Sequence, residues 1–379
     1  MLLLTDEMEV GGTQRQIVHV ARTLDRSRFE PTVVYFRNES FFVDELKAAG
    51  VPVVRIEKKG RFDPAFVARL RNHLVRSRYD VVHCFSFSGE LWGAVARRLV
   101  RPSMRPALVS SIRGTYEWYS AAQWRIKRWV SMQSSCVVAN SRAGAAYACE
   151  RMGRPECAMD VVYNGVQCEP PCEDAARELR RLLSPAGEPL ILFVGRLVVH
   201  KDVPTLVRAF HTLRARGIGA RLCVAGDGPL RAELESLVRA LDLEAQVALI
   251  GERHDVANLI AASDFLVLPS LREGLSNVIL EAMIGGRPVI ASRTGGNVEL
   301  VEQGRTGLLF EVGSEVQLVE AMSRLATDAD LRRSLGTAAR AVAEARYSVP
   351  AMVQSLERHY AAVSRRAPGA SVRVTPAAG

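Results

Sequence analysis

The residues best suited to chemistry lie in one short stretch, Glu273-Gly274-Leu275-Ser276-Asn277-Val278-Ile279-Leu280-Glu281. An apolar run, FLVLPS (265–270), precedes it, and a helical pattern reaching to about Ile284 starts inside it. A helix start exposes unpaired backbone N–H groups at the positive end of the helix dipole, which suits a phosphate. Ser276, Asn277 and Val278 fall where those donors stand. Glu273 precedes the helix at the strand end, and Glu281 lies within it. Two carboxylates so placed can accept hydrogen bonds from hydroxyls on either side of a bound diphosphate. The same spacing also fits a capped helix with an ordinary Glu on its surface, and spacing alone leaves both readings open.

Four further features carry reactive or ligand-binding residue types. Gly11-Gly12-Thr13-Gln14-Arg15 puts paired glycines between a strand and a helix, where phosphate or sugar can approach the backbone, although turns use such pairs freely. His83 ends the strand DVVHC, either packed in the core or presented at the sheet edge. Asp328-Ala-Asp330 is the only DxD in the chain. It precedes the helical run LRRSLGTAAR, so its aspartates read as helix caps and no metal site is expected. Residues 116–130, YEWYSAAQWRIKRWV, interleave Trp118, Trp124 and Trp129 with Arg125, Lys127 and Arg128. Such a helix either lies on an anionic membrane or packs its tryptophan face inside.

These features need a scaffold, and the hydrophobic pattern supplies one. In the second half, LILFVG (190–195), RLCVAG (221–226), VALIG (247–251), FLVLPS (265–270), PVIAS (288–292) and GLLFE (307–311) are short apolar runs. Amphipathic stretches such as 203–216 and 229–241 separate them. Strands alternating with helices imply a parallel sheet covered on both faces. The first half repeats the theme with LLL (2–4), PTVVYF (31–36), VPVVRI (51–56), DVVHCF (80–85), ALVSSI (107–112), CVVAN (136–140) and DVVYNG (160–165), and with helices at about 13–24, 64–77 and 89–99. The expected fold class is α/β, with two Rossmann-like domains facing across a cleft and ligands at the carboxyl ends of the strands. The expected boundaries are 1–168, a proline-containing linker at 169–188, a second domain at 189–345, a helix at 346–363 returning to the first domain, and a disordered tail at 364–379.

The segment from Glu273 to Glu281 resembles the E-x7-E signature of the retaining family 4 glycosyltransferases (glycosyl transferases group 1), which have the GT-B fold. VGRLVVHKD (194–202), AGDGP (225–229), SDFLVLPSLREGLSNVILEAMIGGRPVIAS (263–292), TGGNVELVEQGRTGLLFEVG (294–313), VVANSRAGA (137–145) and VVYNGV (161–166) are similar to segments of the same family. The resemblance implies a sugar transfer from a nucleotide-diphosphate sugar, UDP-sugar before GDP-sugar, with retention of configuration. The acceptor would be a glycan, a lipid-linked molecule or a small molecule, and no separate cofactor is implied. Arg196 and Lys201, beside Gly195, would hold the diphosphate and stabilise the leaving group. Fixed cations can offset that developing charge without a metal. Glu273 would contact the donor sugar and Glu281 the ribose. Gly274, Leu275, Ser276, Asn277 and Val278 would line the phosphates, Gly251 to His254 would lie near the base, and Gly11 and Gly12 would complete the donor site. Thr13, Gln14, His83 and Arg113 would stand on the acceptor side. Arg113 departs from the family pattern, which commonly has histidine there. The alternatives are a GT-B sugar-nucleotide epimerase and a non-catalytic sugar-nucleotide-binding protein.

Composition sets the outer bounds. The 379 residues suit two domains. The net charge of +9 is uneven, the first 180 residues carrying 27 Lys and Arg against 20 Asp and Glu. Charge alone does not make a nucleic-acid-binding protein, and no such motif accompanies it. The seven cysteines contain no CxxC, Cys168 and Cys172 being the closest pair, which favours free thiols. No window approaches a membrane span, and the opening MLLLTDEMEVGG reads as a strand running into a glycine turn. The expected location is the cytoplasm, with peripheral contact at the inner membrane face through 116–130.

Overall fold

The computed structural model describes residues 1–60, 63–154, 159–167 and 170–364. The chain divides into two compact units, Met1–Gly165 with the segment from Val349 onward, and Val166–Ser348.

The first unit alternates strand and helix: β1 (Leu2–Leu4), α1 (Gly12–Thr23), β2 (Thr32–Tyr35), α2 (Phe41–Ala48), β3 (Val53–Arg55), α3 (Pro64–Ser77), β4 (Val81–Cys84), α4 (Phe87–Arg98), β5 (Ala107–Ile112), α5 (Ala121–Gln133), β6 (Cys136–Ala139), α6 (Arg142–Met152) and β7 (Asp160–Val161). The sheet order is β3-β2-β1-β4-β5-β6-β7, with every pairing parallel. Parallel strands covered on both faces must be apolar throughout. Leu2, Leu3 and Leu4 accordingly face alternate layers: Leu3 packs with Ile17 and Val33, while Leu2 and Leu4 pack with Phe66, Leu70 and Val82.

The second unit repeats the plan with α7 (Glu173–Leu183), β8 (Leu190–Val194), α8 (Val203–Ala215), β9 (Arg221–Ala225), α9 (Arg231–Ala240), β10 (Val247–Gly251), α10 (Val256–Ala262), β11 (Phe265–Leu268), α11 (Asn277–Ile284), β12 (Val289–Ser292), α12 (Asn297–Leu300), β13 (Gly307–Phe310), α13 (Glu315–Thr327) and α14 (Ala329–Arg346). Its parallel sheet runs β10-β9-β8-β11-β12-β13. The last helix, α15 (Val349–Ser364), packs on α1 and β4 of the first unit. Where the chain leaves and re-enters that unit, the Val166 N–H donates to the Tyr347 carbonyl at 2.7 Å.

The structure differs from the sequence reading in three places. The segment expected as a linker, 169–188, carries helix α7, because its prolines flank the helix rather than interrupt it. Arg180 on α7 ties it to Asp264 and to the carbonyls of Ala262 and Glu188 in the second unit. The run 160–165 pairs as a strand only at Asp160–Val161. Within 116–130, the helix begins at Ala121 behind a capping box in which Ser120 accepts from the Gln123 N–H. The tail residues 365–379 and Cys168 lie outside the described residues. Cys84, Cys136, Cys149, Cys172 and Cys223 are free.

Candidate functional site

In an open doubly wound sheet the ligand crevice opens where the strand order reverses, at the carboxyl ends of the two strands that flank the reversal. In the second unit that point lies between β8 and β11. The loop after β8 holds Gly195, Arg196 and Lys201, and the loop after β11 holds Ser270, Glu273 and Gly274. Topology thus brings together residues some seventy positions apart in the chain. The Lys201 ammonium donates to a carboxylate oxygen of Glu273, and the Ser270 hydroxyl donates to the same oxygen at 2.7 Å. Both charged side chains are mostly covered, Lys201 at 17% and Glu273 at 11% exposure. Arg196 is exposed and makes no ion pair among the described residues. Burial, followed by the charge of Lys201, lowers the pKa of the neighbouring His200.

Ser276 is the N-cap residue of α11, and its side chain makes no capping bond. Asn277 and Val278 form the partly open first turn, while Ile279 and Leu280 are buried. Leu275 and Ser276 are buried, and Glu281 is half-buried on the helix. Two glycines not selected from the sequence help set this loop. A Cβ on Gly295, whose φ is +48°, would lie 1.8 Å from the Glu273 carbonyl oxygen. The Gly296 N–H donates to the Gly274 carbonyl at 2.7 Å. The loop after β12 is therefore pressed backbone to backbone on the segment carrying Glu273. The glycine pair at 295–296 was the sequence signal for it.

The first unit has its reversal between β1 and β4. Gly11 is the N-cap of α1 and Gly12 its first residue. A Cβ on Gly11 would meet the Gln14 side-chain oxygen at 2.6 Å, and Thr13 and Gln14 are half-buried beside it. His83 does not reach a ligand surface. It is 1% exposed, its Nδ1 pairs with the Tyr360 hydroxyl at 2.6 Å and its Nε2 with the Ser111 hydroxyl at 2.8 Å. Nδ1 is committed to α15 and Nε2 to the neighbouring strand β5, so the expectation that His83 contacts the acceptor is corrected to a core role.

Arg113 stands at the carboxyl end of β5. Its Nη2 donates to Asn164 Oδ1 at 2.9 Å, and the Asn140 amide donates to the Arg113 carbonyl at 3.3 Å. Burial pulls the guanidinium pKa down to about 10. Asn140 and Asn164 were not selected from the sequence, though both sit in the quoted runs VVANSRAGA and VVYNGV.

The tryptophan segment divides between core and surface. Trp124 is buried, Trp129 packs beside Val130, and Lys127 is buried against Glu90 at 2.6 Å. Trp118, Arg125 and Arg128 remain exposed. A membrane-lying face built on all six residues is therefore ruled out by the burial of Trp124 and Lys127. Asp328 caps α14 by accepting from the Leu331 N–H at 2.8 Å, and Asp330 pairs with Arg333. Among the described residues, Cys136, Asp160 and His359 bring potential metal-ligand atoms within 4.8 Å of one another. Their separation in the chain hid this from sequence reasoning.

The fold and the placement of these loops define a two-unit, doubly wound α/β protein of the GT-B type. Family models described as Glycosyltransferase Family 4 and Glycosyl transferases group 1 match residues 10–170 and 174–342 respectively, and the chain belongs to this family. It is 33% identical over 185 residues to alpha-D-kanosaminyltransferase of Streptomyces kanamyceticus, covering 48% of each chain. It is 32% identical over 179 residues to N-acetyl-alpha-D-glucosaminyl L-malate synthase of Bacillus anthracis, covering 47% of each. The matched stretch thus spans about half the length of these curated relatives. Anabaena HepE in complex with UDP shares the fold with a TM-score of 0.84 at 24% identity, over 95% of this chain and 99% of that one. Sucrose-phosphate synthase from Thermosynechococcus elongatus does so with a TM-score of 0.80 at 20% identity, over 96% and 98%.

Proposed function

We propose that the protein is a retaining glycosyltransferase that moves a sugar from a nucleotide-diphosphate sugar, with UDP-sugar favoured, to a glycan, lipid-linked or small-molecule acceptor. The observation that carries the reading is the Lys201–Glu273 pair at the reversal point of the second unit, beside the exposed Arg196 and the partly open first turn of α11. Family membership and the UDP bound to HepE support it.

In this reading the diphosphate lies against the first-turn amides of α11, flanked by Arg196 and Lys201. Glu273 accepts from a hydroxyl of the sugar and Glu281 from the ribose. Gly195, Gly274, Leu275, Ser276, Asn277 and Val278 line the donor, with Gly11 and Gly12 also taken as donor-binding and Thr13, Gln14 and Arg113 left to the acceptor. The bond from the anomeric carbon to the diphosphate oxygen breaks, and the acceptor oxygen bonds to that carbon on the same face. The acceptor proton passes to the departing phosphate oxygen. Lys201 and Arg196 offset the charge that develops there, which is where fixed cations accelerate a reaction most. The working place is the cytoplasm, with the exposed Trp118, Arg125 and Arg128 meeting the inner membrane face. Trp118→Ala should weaken flotation with anionic liposomes, and unchanged flotation would remove that contact.

The test is a thermal-shift series with UDP, GDP and their glucose derivatives, followed by incubation of the stabilising donor alone and with acceptors. A ligand held only by the native state raises the melting point. Stabilisation by one nucleotide family, with product only when acceptor is present, is the expected result. Conversion of the donor to its epimer without acceptor would replace the transferase reading.

A further inference from the structure

Among the cations withdrawn from water in the first unit, two receive opposite treatment. Lys127 meets Glu90 at 2.6 Å and also donates to the Ser111 carbonyl at 2.9 Å. Arg113, at the end of the strand that carries Ser111, has no carboxylate partner among the described residues. Its fixed acceptor is the neutral Asn164 Oδ1, at 2.9 Å. Its Nε is buried and donates to nothing. Asn140 Oδ1, on the residue whose amide holds the Arg113 carbonyl, is also buried with no partner. A buried N–H without an acceptor costs free energy, and a half-buried cation without a counter-charge adds to that cost. Their place is the carboxyl edge of a parallel sheet, where ligands of such folds are held.

From this juxtaposition we propose that Arg113 is the seat of an oxyanion on the acceptor, a phosphomonoester or a carboxylate, with Asn140 Oδ1 accepting from a neighbouring hydroxyl of the same molecule. The inference rests on the transferase reading for the word acceptor, but the binding it describes does not need catalysis. An oxyanion supplies what the site lacks: a full negative charge for the guanidinium and an acceptor for Nε–H. Arginine presents Nε–H and an Nη–H as a planar fork that matches two oxygens of one phosphate or carboxylate. Asn164 Oδ1 accepts from Nη2, so the guanidinium is oriented before the ligand arrives.

The experiment titrates the full-length protein with inorganic phosphate, glycerol 1-phosphate and glycerate at constant ionic strength, with glycerol as the uncharged control. Binding is followed by calorimetry and by the side-chain Nε–H resonance of Arg113, identified by its loss in Arg113→Lys. The expected result is saturable binding of an anion, a shift of the Arg113 Nε–H signal on saturation, and no response to glycerol. Preference for glycerol 1-phosphate over glycerate assigns a phosphorylated acceptor, and the reverse assigns a carboxylate. Arg113→Gln should weaken the anion at least about tenfold, and Arg113→Lys should weaken it less. Asn140→Ala should weaken glycerol 1-phosphate or glycerate while leaving inorganic phosphate unchanged. Should Arg113→Gln fail to fold, the wild-type Nε–H signal alone decides. An Nε–H signal indifferent to every anion, or anion affinity unaltered in a folded Arg113→Gln, overturns the proposal. UDP is titrated in the same samples: loss of UDP binding by the wild type would sink the donor reading while leaving the Arg113 result standing.

Discussion

The two sheets reverse their strand order at equivalent points, β1/β4 and β8/β11, yet their carboxyl edges are furnished differently. In the second unit the loops lock through backbone, with Gly295 and Gly296 seated on Glu273 and Gly274, and the charges sit at the rim. Lys201 and Glu273 retain a little exposure and one partner each can give up. In the first unit the Glu90–Lys127 pair lies inside the layers, between α4, α5 and β5, and His83 lies between β4 and α15, while Arg113 stands at the carboxyl edge. The difference separates charge that a ligand can recruit from charge that holds the fold. Topology is therefore a guide to where a ligand sits, and burial is a guide to which charged residues are free to meet it.

The largest effect should come from breaking the inner pair. Lys127→Met leaves Glu90 buried, with the Ser111 N–H at 2.8 Å as its remaining donor. Removing one partner of a buried ion pair costs about 3–5 kcal/mol, mainly as the penalty of the stranded charge. Two units need not melt together, so the loss is best read from hydrogen exchange of the β5 amides under native conditions. Glu90→Leu combined with Lys127→Met should recover most of the loss. A single-variant cost below about 1 kcal/mol would put Lys127 in the same class as a rim charge, and the contrast between the units would fail.

At the rim the expectation is reversed. Lys201→Ala should lower turnover about a hundredfold or more, equivalent to about 2.7 kcal/mol in the barrier. Stability should change by no more than about 1 kcal/mol, since the pair keeps contact with water. Turnover and denaturant midpoint measured on one preparation decide the matter. Wild-type turnover would remove Lys201 from the diphosphate, and a large loss of stability with normal turnover would make the pair structural.

The same contrast explains what could be read in the chain. Apolar runs such as 190–195 and 107–112 announced buried parallel strands because both faces of such strands are covered, and the pattern is local. The donor loop was legible for the same reason: Glu273 to Glu281 is one continuous segment that marks both a strand end and a helix start. Helix α7 was hidden because flanking prolines weigh heavily in a short window, although they stand outside the helix. His83 and the tryptophan segment stayed open between core and surface because exposure is settled by distant partners. Tyr360 covers His83 from 277 positions away, and Glu90 draws Lys127 inward from 37. Nothing near either residue in sequence records those partners.

The smallest effect concerns acid, and it again distinguishes the units. Three imidazoles of the first unit have lowered pKa values: His19 falls to about 4 through burial and then the charges of Arg15 and Arg22, His83 falls well below its ordinary value through burial and then Arg113, and His73 falls through burial. The unfolded chain takes up protons near the ordinary value of about 6.5, whereas the folded unit refuses them. The unfolded state then binds more protons, so stability rises with pH. It is intact above about 6.5 and is lost as pH falls from there towards 4. For His19 alone the loss between pH 7.5 and pH 5 is about 2 kcal/mol. Glu90 works in the opposite sense, because burial outweighs Lys127 and raises its pKa, so its protonation relieves the fold in acid. His19→Gln isolates the imidazole term and should flatten the pH profile by that amount. In the second unit His200 is lowered too, but it lies at the half-open rim and has less to lose. Calorimetry at pH 5 and pH 7.5, with the transitions assigned by hydrogen exchange, should therefore show the first unit destabilised more than the second. Equal shifts, or a greater shift in the second unit, would show that the buried imidazoles do not set the acid response.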